Sequence, residues 1–274
     1  MTDAASVLEP LTARYTSWLE LSDESTADTS DEDPDDVVLM PMVLRIERNE
    51  PPARTDLLQA AASAAIAVCL DERCRPGGEW RDAVGTWAAG RIRKVARRAR
   101  GSHWSAVQSL PGHTITVGTA QVRAFLPMRL SEMPKELTRL QISGSELEPD
   151  EPESAVDGVP VLWLNPDIEM SAGKSAAQVG HASMILAALL YGTGAHGELD
   201  RWAADGFPCA VRTPDGASWR ALHPGTEPAA AWRERGVAAV RDAGFTEIDP
   251  GTVTVLAQWP GGVGQFREKL TDAG

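Results

Sequence analysis

Hydrophobic positions along the chain fall into two blocks, each opening on an apolar run of strand length. Val38 to Ile46 is the first run and Val159 to Leu164 the second. Short apolar runs bounded by polar or Pro-rich sequence predict buried strands. In the first block, alanine-rich Thr55 to Leu70 predicts a helix, and Glu79 to Arg100 another, broken by Gly85 and Gly90. Alternation from His113 to Leu126, turned at Gly118, predicts a hairpin, and Pro134 to Leu140 a short helix. The pattern does not place a second strand in this block. The second block predicts helices at 171–191, around Leu199 to Ala204 and at Ala229 to Asp242. Its further strands are Pro208 to Arg212, Thr246 to Ile248 and Thr252 to Gln258, and a last helix runs from Gly264 to Leu270. Ahead of both blocks, residues 1–20 predict a helix with Leu8, Leu11, Tyr15, Trp18 and Leu19 on one side.

The blocks share residues as well as order. Leu58-Gln59-Ala60-Ala61 aligns with Lys174-Ser175-Ala176-Ala177, and Gly112-His113-Thr114 with Gly244-Phe245-Thr246. Gly118-Thr119, Val122, Ala124 and Pro127 match Gly251-Thr252, Val255, Ala257 and Pro260 at identical spacing. This predicts an internal duplication. Four domains follow: an acidic, largely disordered segment 1–37, a first block 38–142, an acidic linker 143–158 and a second block 159–274. Residues 21–37 are rich in Ser, Asp, Glu, Thr and Pro, which bury too little apolar surface to offset chain entropy.

Composition narrows the class. The chain is 43% hydrophobic, yet no apolar stretch approaches the ~20 residues that cross a bilayer. Met1-Thr2-Asp3-Ala4 lacks the basic start of a signal peptide, and Cys69, Cys74 and Cys209 are too sparse for a disulfide framework. Both point to the cytoplasm. Net charge is -13, but residues 1–40 contribute -10 and residues 145–157 contribute -6. The two blocks therefore carry a slight positive excess, with a dense basic run at Arg91, Arg93, Lys94, Arg97, Arg98 and Arg100.

The candidate chemistry sits at 171–183. Ser171 is a plausible N-cap, and Lys174, Gln178 and His181 follow at i, i+4 and i+7, one stripe of a helix. Other readings fail on spacing. A phosphate loop around Gly173-Lys174-Ser175 would need glycine at 168, which is Ile168. No Gly-x-Ser-x-Gly elbow is present, and His103, His113, His181, His196 and His223 lack metal-ligand spacing. No cofactor or metal is implied.

Gly173-Lys174-x-Ala-Ala-Gln178-x-x-His181-Ala, then Arg241-Asp242-Ala-Gly244-x-Thr246-x-Ile248 and Pro250-Gly-Thr252-x-Thr254-Val-Leu, resemble the type 2 peptidyl-tRNA hydrolases. The resemblance covers roughly residues 159–270. It implies an α/β three-layer sandwich with a mixed sheet flanked by helices, and hydrolysis of the ester joining peptide to tRNA. Members of this family are compact homodimers, so two tandem copies imply a monomeric pseudo-dimer whose first copy has lost the site. In that copy Leu58 stands for Lys174, Ala62 for Gln178, Ala65 for His181 and Gln121 for Thr254, and only Thr114 matches Thr246.

The residues leave several roles open. Lys174 would bind phosphate or an oxyanion near the positive end of a helix. Asp242 would orient water, act as base or hold Lys174. His181 is either catalytic or a buried histidine. Gln178 would fix Lys174 or a substrate carbonyl, Thr246 and Thr254 would donate hydroxyls to substrate, and Arg93, Arg97 and Arg100 would hold the tRNA body. The rival expectation is a non-catalytic RNA-binding or regulatory protein on the same scaffold.

Overall fold

In a computed structural model of the protein, residues 2–33, 36–144, 146–150 and 158–260 are described. The expected helix 264–270 lies outside them.

The chain begins with α1 (Thr2–Ala5), a 3-10 turn, α2 (Glu9–Glu20) and α3 (Asp23–Ala27). The first block continues with β1 (Val38–Arg45), α4 (Arg54–Cys69), α5 (Arg81–Ala89) and β2 (Lys94–Ala99). Then come α6 (Gly101–Val107), β3 (Gly112–Val117), β4 (Ala120–Phe125), β5 (Met128–Arg129) and α7 (Lys135–Thr138). The second block holds β6 (Val161–Leu164), α8 (Ala172–Gly192), α9 (His196–Ala204) and β7 (Ala210–Arg212). It ends on α10 (Gly216–Leu222), α11 (Pro228–Arg235), β8 (Val237–Arg241) and β9 (Val253–Gln258).

Each block builds one mixed sheet. The first has the order β2-β1-β4-β3, with β5 beside β1, and the second β7-β6-β9-β8. In both, the first two strands of the block run parallel and the remaining neighbours run antiparallel. The registers agree too: Met42 lies opposite Ala96 and Ala124, as Leu162 lies opposite Val211 and Ala257.

Strand alternation divides the core. Met40, Met42 and Leu44 face the same cluster as α4 and α8, and so do Leu162, Leu164, Val240 and Val255. Leu39, Val43 and Phe125 face away, onto Trp104 of α6 and Leu137 of α7. On the far side of the second sheet, Val237, Ala239 and Leu256 pack on Trp219 of α10. The helices α4 and α8 therefore lie between the two sheets and join the blocks through one continuous core.

Four expectations change. The expected helix 79–100 ends at Ala89, where Gly90 donates to the carbonyls of Thr86 and Trp87. Its basic end is the missing strand β2, paired with β1, because tertiary pairing overrides the arginines' modest strand preference. The expected helix 229–242 stops at Gly236, whose φ of 65° is a left-handed C-cap, and 237–241 becomes β8. Residues 246–248 then form a loop and not a strand. Where disorder is expected, α3 and its surroundings carry ion pairs: Asp23 with Arg241, Asp31 with Arg91, and Glu32 with Arg91 and Arg93.

The two hairpins differ in one respect. Val117 and Ala120 close the first around a two-residue turn, whereas Arg241 and Val253 close the second around an eleven-residue loop, 242–252. Ladder register sets Ile115 against Val122 and Val240 against Val255. The matching positions are thus Ile115 and Val240, so Thr114, on β3, does not correspond to Thr246, on the loop.

Candidate active site

The loop 242–252 and the first two turns of α8 build the site. Ser171 accepts the Lys174 N–H at 3.1 Å and so caps α8. Its own hydroxyl donates to Glu247 Oε1 at 2.7 Å, and its N–H to Glu247 Oε2 at 3.0 Å. Glu247 thereby ties the loop to the helix start, beside Lys174. The loop is also stitched at its base. Asp242 N–H donates to the Thr252 carbonyl, and Gly251 N–H to the Asp242 carbonyl. Gly244, at φ 82°, donates its N–H to Asp242 Oδ1 at 2.8 Å, a turn that only a residue tolerating positive φ closes without strain.

The side chains form one chain of hydrogen bonds. Lys174 Nζ donates to Asp242 Oδ2 at 2.6 Å and to Thr246 Oγ1 at 2.8 Å. Gln178 Nε2 donates to Asp242 Oδ2 at 2.6 Å, and Thr254 Oγ1 donates to Gln178 Oε1 at 2.6 Å. Thr254 and Gln178 are buried. Asp242 thus receives three donors. An ammonium has three N–H donors, and two of Lys174's are used. Thr246 accepts from Lys174, so its hydroxyl proton is left to donate elsewhere. The cluster therefore offers two adjacent donors, from Lys174 and Thr246, to an incoming oxygen.

His181 stands apart from this cluster. Its Nδ1 lies 3.0 Å from Lys94 Nζ, at the junction with the first block. Burial, with Lys94 and Lys174 as neighbouring cations, holds it well below the ordinary histidine range.

The basic run does not form one helical face. Arg97 is buried and donates to the carbonyls of Leu140 and Thr138. Arg93 pairs with Glu32 and sits over the ring of Phe245, 4.5 Å from its centroid. Arg98 donates to Gln141, and Arg100 is exposed. Of the three candidate arginines, Arg93 alone touches the site loop. Glu247 went unmarked in the sequence, and Lys94 was marked only as one member of the basic run. Glu247 falls on a variable position of the motif, and Lys94 lay in the segment read as helix.

No helix among the described residues is long and apolar enough to cross a membrane. Among the described residues, no three His, Cys, Asp or Glu side chains are placed to hold a metal ion.

Comparison with known proteins follows the same boundaries. The family described as "Peptidyl-tRNA hydrolase PTH2" matches residues 159–270. A protein of Methanopyrus kandleri named peptidyl-tRNA hydrolase is 37% identical over 115 residues, 41% of this chain and 88% of that protein. One of the same name from Staphylothermus marinus is 37% identical over 101 residues, 37% of this chain and 80% of its own length. A third, from Pyrobaculum aerophilum, is 34% identical over 102 residues, 36% of this chain and 81% of its own length. No solved structure matches the chain at a significant level. The whole hydrogen-bonded cluster lies within the matched residues 159–270, and 88% of the first of these relatives is covered at 37% identity, so the chain belongs to the peptidyl-tRNA hydrolase PTH2 family.

Proposed function

We propose that the protein hydrolyses the ester between peptide and tRNA, with the Lys174–Asp242–Gln178–Thr254 network and Thr246 as its site. The observation that carries this reading is the spare donor capacity of Lys174 and Thr246, side by side on a held pair. Ester hydrolysis builds negative charge on the carbonyl oxygen, and preorganised donors aimed at that charge lower the barrier. Lys174 and Thr246 are suited to that oxygen or to a neighbouring phosphate. Asp242 has accepted three of the roughly four hydrogen bonds a carboxylate takes, which leaves room for one water. In this reading it holds Lys174 and positions the attacking water. Gln178 and Thr254 act behind it, by orienting the carboxylate.

The first block is read as a degenerate copy standing in for a second subunit, so that the chain works as a monomer in the cytoplasm. The common strand order and register favour this. A two-residue hairpin turn in place of the loop 242–252 accounts for the first block's lack of a site. Arg93, beside Phe245, is read as a contact to the nucleotide portion of tRNA.

The test is turnover of N-acetyl-aminoacyl-tRNA by the purified chain, with Lys174→Met as control. Release of the blocked amino acid by the parent and not by the variant supports the reading. A parent that binds tRNA without turnover would support the non-catalytic alternative.

A further inference from the structure

The stripe of α8 ends on a contact that the Asp242 network does not use. Lys94, the first residue of β2, reaches across from the first block to His181, 3.0 Å from its Nδ1. Its ammonium lies 4.8 Å from the centroid of the Trp87 ring. Among the described residues, no carboxylate lies within ion-pair distance of it. A half-buried ammonium without a counter-ion lowers stability. Room has been made for it as well. A Cβ at Gly180 would sit 3.3 Å from Lys94 Cδ and Cε and 3.1 Å from Ala65 Cβ. Glycine inside a helix is less favourable than alanine. The fold thus bears two costs where Lys94 crosses α8.

The charge balance of the site gives those costs a purpose. Lys174 is matched by Asp242, so the pair offers a polyanion directed hydrogen bonds and little net attraction. Lys94 is a cation from β2 at the His181 end of that stripe, and its charge is unmatched. Residues 174 and 181 are separated along the helix by about 10 Å at 1.5 Å per residue. His181 takes one of the three ammonium donors, which leaves two.

We propose that Lys94 is a substrate-binding cation supplied by the first block, taking a phosphate oxygen from the nucleotide end of the substrate beside His181. The inference rests on the peptidyl-tRNA reading above. It also gives the degenerate block a direct part in the site. Burial pulls Lys94 down to about 7, and an approaching phosphate would favour its charged form.

The experiment uses the full chain with Lys94→Met and Lys94→Gln. The glutamine variant keeps a hydrogen-bond donor and removes the charge. In both, KM for N-acetyl-aminoacyl-tRNA should rise about tenfold, the scale of one charge-assisted hydrogen bond. Turnover number should stay within about twofold, the affinity for uncharged tRNA should weaken in parallel, and the melting temperature should not fall. Unchanged KM and tRNA affinity in both variants would overturn the proposal. So would a lowered melting temperature with turnover number and KM changing together in both, the mark of a structural strut. Were the parent itself to show no turnover, the hydrolase reading would fail while the tRNA affinities still judged Lys94.

Discussion

Lys174 Nζ stands 2.6 Å from Asp242 Oδ2, with only 10% of one side chain and 7% of the other exposed. The same oxygen also accepts from Gln178, so Asp242 is the hub on which Lys174 and Gln178 of α8 converge. Removing either charge from a buried pair strands the other, typically at about 3–5 kcal/mol. Lys174→Met should lower kcat/KM for the ester by roughly two to three orders of magnitude, the range for loss of a preorganised oxyanion donor. Asp242→Asn should do the same, since the amide cannot hold the ammonium ionically. Far-ultraviolet circular dichroism should show both variants folded. Activity within a few-fold of the parent in both would remove these residues from the site.

Thr254 probes the hub at one remove. Its hydroxyl is fully buried and donates to Gln178 Oε1, which turns the Gln178 amide towards Asp242. Thr254→Val keeps the shape and deletes the donor. The turnover number should fall about tenfold with KM little changed, as expected when an orienting contact is lost. Thr246→Val should instead move both constants, because Thr246 lies at the surface beside the spare Lys174 donor. Identical kinetic profiles for the two variants would show that the sequence-level reading of both as substrate contacts was nearer the truth.

The contrast between these threonines shows where sequence reasoning reached. The spacing of Lys174, Gln178 and His181 placed them on one stripe, and α8 carries them so. Spacing could not separate a threonine facing solvent from one buried behind a glutamine, because both follow strand-like sequence. Nor could it place Lys94. Local preference in Lys-Val-Ala-Arg-Arg-Ala favours helix, and only pairing with β1 makes it a strand and aims Lys94 at α8. At Gly236 a C-cap signal was present in the sequence, but the apolar run beyond it, Val237 to Val240, masked the boundary. The first hairpin was predictable as a hairpin. The second was not, because its strand β8 was read as the end of a helix, and the length of the loop that bears Asp242 follows from strand register.

Lys94 should leave a signature in stability against pH. Its folded-state value is about 7, against about 10.4 for a solvated lysine. Between those values the unfolded chain binds a proton that the folded chain does not, so stability falls as pH falls from about 10 to about 7. The groups facing it are Cys69 on α4, His181 on α8, which Lys174 also neighbours, and the Trp87 ring. Cys69, Cys74 and Cys209, each pushed up to about 12 by burial, act in the opposite sense once unfolded thiols begin to ionise near 8.5. The clean window is therefore pH 7 to about 8. There the melting temperature of the parent should rise with pH, and that of Lys94→Met should rise less. Parallel curves would mean that Lys94 is solvated in the folded state.

The arginines separate RNA contact from architecture. Arg93 and Arg91 are held by Glu32, and Arg93 covers Phe245 on the site loop. An RNA phosphate that reaches Arg93 must displace Glu32. Glu32→Gln should therefore lower KM for full-length substrate a few-fold, with the largest gain at low salt, where phosphate contacts are strongest. Arg93→Gln should raise KM and flatten its salt dependence, and it should matter less for a minimal substrate carrying only the terminal nucleotide and peptide. Arg97 makes the internal control. It is buried against the carbonyls of Leu140 and Thr138, where burial lowers its pKa. Arg97→Gln should cost roughly 1–3 kcal/mol of stability through the carbonyls it leaves unpaired, with no change in the salt dependence of KM. Chemical denaturation and steady-state kinetics at two salt concentrations read both quantities. If Arg97→Gln altered salt dependence as Arg93→Gln does, the buried arginine would have to reach RNA after rearrangement, and the division between Arg93 and Arg97 would not hold.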